Sequence, residues 1–198
     1  MNILMVIASL VLLSVPVLYL IKTTQGLITP NPITFGVRSI VSVMNLVTYF
    51  LTTGKDPFKS SVTFASTVGL ITILIYSFWR GKFSKVNWFD ITSGIIAFMV
   101  AILWKFSNDP VIANLCLQSA MLIAFVPAVR GVLAGIAREQ VLPWAIATFA
   151  YTMMTVALFF DRGTTWQQLV HPIFVGILGN GGLMLAVVYR NSKNAHTL

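Results

Sequence analysis

The sequence predicts an all-α membrane protein in which seven transmembrane helices form two parallel three-helix repeats joined by a linker helix, a 3+1+3 plan. Three observations predict it. The chain is 57% hydrophobic and 9% charged, with a mean hydropathy of +0.87. A soluble chain of this size cannot bury so much apolar surface, so the solvent must be lipid. The charges fall in narrow bands and leave charge-free runs at 3–21, 39–54, 60–79, 91–104, 110–129, 140–160 and 163–189. Prolines also recur in register: Pro16 with Pro127, and Pro32 with Pro143, share an offset of 111 residues.

The elements follow in order. A spanning helix needs about 20 mostly apolar residues. The first run predicts a helix over about 3–22; it lacks a basic n-region and a small-residue cleavage site, so it is expected to stay in the mature chain rather than leave as a signal peptide. The second, over 32–53, opens on Pro32, where a missing N–H costs nothing. It reaches spanning length only if Arg38 counts as a residue near the helix end. The third covers 61–80 and ends on Arg80. The fourth, 88–105, likewise needs Asp90 at its start. The fifth, 110–130, carries Pro127 late in its run. The sixth, 142–160, opens at Pro143, and the seventh covers 168–189. These runs are long and apolar throughout, unlike the alternating ten-residue strands of a membrane barrel. With no water in the hydrocarbon, backbone polar groups must be satisfied within helices.

Helices 1–3 and 5–7 align at a nearly constant offset. Phe64 matches Phe174, Gly69 matches Gly179, and Arg80 matches Arg190. Three helices end on the side opposite their start, so one extra crossing lets the second unit enter like the first. The division is a first repeat over 1–84, the linker helix over 85–108, and a second repeat with a short tail over 109–198. A repeated proline bend suggests two copies of one moving part, the organisation of transporters with internal repeats.

The net charge of +8 reads as topology rather than nucleic-acid binding. Lys22, Arg80, Lys82, Lys85, Arg130, Arg138, Arg190 and Lys193 share one side of the predicted layout. On the other side, Lys55, Lys59, Lys105 and Arg162 are nearly balanced by Asp56, Asp109 and Asp161. The positive-inside rule puts the N-terminus outside and the C-terminus in the cytoplasm, with a bacterial inner membrane as the expected location. The partners expected are the lipid bilayer and a small-molecule solute, and a homo-oligomer is compatible with the pattern. Cys116 stands alone, which excludes an internal disulfide and any multi-cysteine metal site.

The segments PVLYLIKTTQGLITPNPITFGVRSI and PAVRGVLAGIAREQVLPWAIATF, with prolines in helices 1, 2, 5 and 6 and an outside N-terminus, resemble the SWEET / PQ-loop superfamily of small transporters. They are also similar to an uncharacterised bacterial seven-helix family whose second helix opens on a proline followed by threonine and tryptophan, where this chain reads Pro32-Ile-Thr-Phe35 with phenylalanine in the tryptophan place. Val17 and Ala128, rather than glutamine, follow the repeated prolines. The resemblance implies a 3+1+3 fold, solute transport, and a ligand-facing asparagine on helix 7, here Asn180; its repeat mate is Leu70.

Intramembrane polar residues supply the candidate chemistry. Asn180 lies in Gly179-Asn180-Gly181-Gly182, where bare backbone lets a ligand or another helix approach. Asn45, and Asn114 with Gln118 one turn apart, are further candidates for solute contact or for interhelical hydrogen bonds. Ser66 and Thr67 lie near the position equivalent to Asn180, although hydroxyls often bond their own helix. Phe35 and Trp144, just inside helix starts, serve either as interface anchors or for stacking on a solute. Pro16, Pro32, Pro127 and Pro143 are the candidate hinges. Arg38, with Asp90 and Glu139 on the same side, suggests a cytoplasmic ion-pair gate; His171 is expected at the outer interface. No carboxylate lies at mid-depth, helix 7 carries no lysine for a Schiff base, and no nucleophile, metal or phosphate-loop motif is present. The expectation is therefore no catalytic residue, no metal and no cofactor. The function expected is a facilitator for a small polar solute, neutral or weakly anionic, by alternating access; the alternative is a non-transporting scaffold or partner subunit.

Overall fold

A computed structural model describes residues 2–80, 83–106 and 109–195, apart from the side chains of 104, 105 and 110. Lys82 and the Lys105 side chain, used in the charge argument, lie outside the described residues. The described chain is helical, with no strand among those residues. Its helices are α1 (Asn2–Thr24), α2 (Pro32–Thr52), α3 (Pro57–Arg80), α4 (Trp88–Phe106), α5 (Pro110–Leu133), α6 (Val141–Phe159) and α7 (Trp166–Ala195). Six are long and apolar enough to cross a membrane, and α4 is a shorter apolar helix. The chain is thus a helical integral membrane protein.

Local chemistry fixes the ends. Asn31 caps α2: its Oδ1 accepts from the Thr34 N–H at 2.9 Å. Asp56 starts α3 four residues earlier than hydropathy suggests, accepting from the N–H groups of Phe58 and Lys59 at 2.8 and 3.2 Å. Asp109 caps α5. Positive-φ glycines Gly26 and Gly135 follow the ends of α1 and α5, in the left-handed turn that commonly stops a helix. Helix α7 is longer at both ends than expected and contains a π-helical stretch, His171–Gly179. Exposed aromatics cluster near helix ends: Trp79 and Trp88 at one, Phe159, Phe160 and Trp166 at the other. Such belts sit at the two membrane interfaces.

The packing partners define the architecture. Helix α3 packs along both α1 and α2, which meet each other through the rings of Tyr19 and Phe35 rather than along their backbones. Helix α7 likewise packs along α5 and α6, which meet each other through the rings of Phe125 and Trp144 rather than along their backbones. Across the molecule α1 packs on α6 and α2 on α5, and α4 lies against α5 and α2. Pro16 and Pro127 are inside α1 and α5, whereas Pro32 and Pro143 occupy the first turns of α2 and α6. A close approach joins α1 to α3: a Cβ at Gly69 would lie 3.3 Å from Pro16 Cγ.

Candidate functional site

A cavity of about 50 Å³ lies where α1, α2, α3, α6 and α7 meet, lined by Pro16, Phe35, Arg38, Ser66, Trp144 and Asn180 among others. All six are residues that the sequence singles out. Proline at position 16 cannot donate to the Leu12 carbonyl one turn earlier, and Leu12 is also on the wall. Phe35 and Trp144 are buried, so they are cavity walls and not interface anchors. They pack with Tyr19, whose ring centroid lies 5.3 Å from Phe35 and 5.9 Å from Trp144, in the tilted and edge-on geometries aromatic rings prefer.

Arg38 is only 3% exposed. Its guanidinium carbon stands 3.8 Å from the centroid of the Phe125 ring, and its Nε and Nη1 make no hydrogen bond. The expected ion-pair gate is not formed. Asp90 is used at the start of α4: its Oδ2 accepts from the Asn87 N–H at 3.0 Å, and the Asn87 Oδ1 accepts from the Asp90 N–H at 3.1 Å. This reciprocal cap satisfies two donors that a helix start leaves open. Glu139 is taken by other partners. Its Oε1 accepts from the Tyr19 hydroxyl at 2.7 Å and its Oε2 from the Trp144 Nε1–H at 3.0 Å. Burial pushes the Glu139 carboxyl up to about 8, against the lowering effect of those two hydrogen bonds.

The Glu139 clamp separates two spaces. Tyr19 and Trp144 line the inner cavity. On its other side Glu139 borders an outer vestibule of about 320 Å³, shared with Gly26, Arg138, Gln140 and Arg190. Two hydrogen bonds brace the same end: the Thr29 N–H donates to the Arg138 carbonyl at 2.8 Å, and the Arg138 N–H to the Thr29 side-chain Oγ1 at 2.9 Å. At the opposite end Lys59 Nζ lies 2.6 Å from Asp161 Oδ2. The hydrogen bond from Lys59 holds Asp161 below the usual carboxylate range.

Asn180 lies on the cavity wall, but its amide nitrogen faces its own helix. Nδ2 donates to the Gly176 carbonyl at 2.8 Å and the Val175 carbonyl at 3.3 Å. This follows from the π stretch, whose wider turn shifts the regular donor of a carbonyl by one residue. Gly176 and Gly179 belong to the same stretch. A Cβ on Gly176 would strike the Tyr151 ring, and one on Gly179 would strike Phe125. Sequence reasoning misses the π stretch; its available signal is Pro172, which lacks an N–H, beside two glycines within one helix.

The other polar candidates form a separate cluster between α2, α5 and α7. Asn45 Oδ1 accepts from Gln118 Nε2 at 2.6 Å and Asn114 Nδ2 at 2.9 Å. Asn114 Nδ2 also reaches Thr48 Oγ1 at 3.2 Å. His171 Nδ1 lies 2.8 Å from Gln118 Oε1 and 3.3 Å from Asn45 Nδ2. The shorter contact assigns the proton to Nδ1, donating to Gln118. His171 is therefore not at the interface: it is buried, its ring 5.3 Å from that of Tyr49, because α7 begins well before it at Trp166. Asn45, Asn114 and Gln118 thus partner one another and His171, away from the cavity around Asn180. Thr67 is also pinned, donating to the Thr63 carbonyl at 2.9 Å and the Ser42 carbonyl at 3.3 Å.

Three residues with a place at the cavity or its closure carry no role in the sequence reading. Tyr19 closes the clamp, Tyr151 presents a buried hydroxyl beside Ser66, and Phe125 supports Arg38. Their signal is spacing: Tyr19 follows Pro16 by three residues and Tyr151 follows Trp144 by seven, each on the same helical face. Among the described residues no cluster of His, Cys, Asp or Glu could hold a metal ion. Comparison with family models, with curated proteins and with solved structures finds no match.

Proposed function

We propose that this protein is a membrane facilitator that moves a small polar solute, neutral or weakly anionic, by alternating access between two helix triplets. The observation that carries the reading is a central cavity with a closure between the two halves at each end. Tyr19 of the first half meets Glu139 and Trp144 of the second at one end. Lys59 of the first meets Asp161 of the second at the other. Opening either closure while the other holds would expose the cavity to one side at a time.

The helix packing supports the 3+1+3 arrangement. Exchanging α1 with α5, α2 with α6 and α3 with α7 carries the contacts of one triplet onto those of the other, and the α1–α6 contact onto α2–α5. Helix α4 falls outside the exchange and acts as the linker. This order supports the kinship with the SWEET / PQ-loop superfamily that the proline segments imply. Pro16 and Pro127, which each leave a helix-interior carbonyl without its donor, are the flexing points; Pro32 and Pro143 set the starts of α2 and α6. The loop charges orient the Glu139 end toward the cytoplasm of a bacterial cell, with the N-terminus outside.

Cysteine accessibility tests the mechanism before any solute is known. In a Cys116→Ser background, Ser66→Cys or Asn180→Cys is labelled in oriented vesicles with a membrane-impermeant methanethiosulfonate. Both positions should label slowly when both closures hold. Adding Lys59→Ala should speed labelling from the outer face, and adding Glu139→Ala from the cytoplasmic face. A cavity unlabelled from either face in every background refutes alternating access and favours the scaffold reading.

A further inference from the structure

We infer that the cavity around Arg38 is a binding site for a small monocarboxylate. The inference deepens the proposed function and rests on the reading of this cavity as the solute site. A guanidinium carries five N–H donors in a planar fork that matches a carboxylate with two parallel hydrogen bonds. Arg38 is 3% exposed, and its Nε and Nη1 donate to nothing in the protein. Its stacking on Phe125 orients the fork but leaves those donors open. Buried charges in membrane proteins are paired or lie on a solute path. The two carboxylates expected to pair with it are engaged elsewhere, Asp90 at the start of α4 and Glu139 with Tyr19 and Trp144.

A second buried hydroxyl borders the same space: Tyr151 lines the cavity with its hydroxyl beside that of Ser66. The rest of the wall sets the remainder of the ligand. Leu12, Val15, Leu70 and Ile73 are apolar, which suits a short hydrocarbon tail and penalises a polyol, whose hydroxyls would lose water without replacement. A volume of about 50 Å³ holds about three to five water-sized groups, at 10–15 Å³ each. That is the size of acetate or propionate and excludes a sugar ring from this conformation.

The test uses the full chain in detergent, with propionate and its neutral isostere propionamide as probes, at an ionic strength held constant with sodium sulfate. Intrinsic tryptophan fluorescence, to which Trp144 on the cavity wall contributes, and thermal stability are the readouts. Propionate should quench or shift the fluorescence saturably and raise the melting temperature, and propionamide should bind at least about tenfold more weakly, the scale of hydrogen bonds to a charged group. Arg38→Gln should remove the propionate response while melting at the same temperature as the parent or higher, because it deletes an unpaired buried charge. Arg38→Lys should bind with intermediate affinity, having charge without the fork. Tyr151→Phe, a fold-preserving second variant, should weaken propionate several-fold. Equal responses to both probes, or a propionate response that survives both Arg38→Gln and Tyr151→Phe, overturns the inference. Radiolabelled uptake into proteoliposomes separates the two readings: propionate binding without uptake keeps the site and rejects transport, whereas propionamide uptake without propionate binding keeps transport and rejects the carboxylate.

Discussion

Replacing Asn45 by alanine tests whether the amide cluster between α2, α5 and α7 ties helices together or handles a solute. Asn45 is fully buried, and its Oδ1 accepts two short hydrogen bonds, at 2.6 Å from Gln118 and 2.9 Å from Asn114. Removing it does not orphan either donor. Asn114 Nδ2 keeps Thr48 Oγ1 at 3.2 Å, and Gln118 Nε2 keeps Asn114 Oδ1 at 3.2 Å. The loss is therefore two interhelical bonds, not two bonds plus the desolvation of two unpaired amides. At about 0.6 kcal/mol each, and up to about 1.7, such bonds in membranes sum to about 1–3 kcal/mol. For a chain of this length about 1 kcal/mol moves the melting temperature by roughly 2–4 °C. Asn45→Ala should therefore melt about 3–10 °C lower, measured in detergent by intrinsic fluorescence. Labelling of Ser66→Cys in the cavity should be unchanged below the transition. A variant that melts like the parent but alters cavity labelling or propionate binding would refute the division into a structural cluster and a separate site.

Two further predictions follow from the clamp and the glycines. Because the Glu139 carboxyl is pushed up to about 8 in the fold and titrates near 4.3 when unfolded, the folded protein keeps a proton that the unfolded chain has lost between those values. Its stabilising contribution is full below about pH 4.3 and is lost as pH rises through about 8, on the order of 1 kcal/mol per pH unit. Melting temperature should fall from pH 5 to 8 in the parent and fall less in Glu139→Gln; parallel slopes would reject the assignment. Gly179→Ala would press a methyl group into Phe125, the ring that supports Arg38, and should destabilise by about 1–3 kcal/mol, as overpacking does. Gly182→Ala meets open space and should leave stability unchanged or raise it by up to about 1 kcal/mol, the helix-propensity difference. Equal melting temperatures for these two variants would show that α7 does not pack as described.

Hydropathy, caps and prolines determine the helices of this protein, because in lipid a backbone must satisfy itself locally and every span therefore leaves a mark in the chain. The length of α2, including Arg38 within it, follows from Asn31-Pro32; the starts of α3 and α5 follow from Asp56-Pro57 and Asp109-Pro110. The six cavity residues Pro16, Phe35, Arg38, Ser66, Trp144 and Asn180 are legible too, since a proline, a charge or an amide in an apolar helix is conspicuous. The sequence does not say which of them meet. Asn45 and Asn180 look alike as buried amides, yet one joins α2 to α5 while the other satisfies the carbonyls of a π turn. Glu139 and Asp90 look like partners for Arg38, yet one takes Tyr19 and Trp144 and the other closes a helix start. Lipid-facing and protein-facing sides of a membrane helix are both apolar, so periodicity does not reveal the inward face as it does in water. Only the packing of α3 between α1 and α2, and of α7 between α5 and α6, decides which polar groups come within 3 Å and which, like the guanidinium of Arg38, are left facing a cavity.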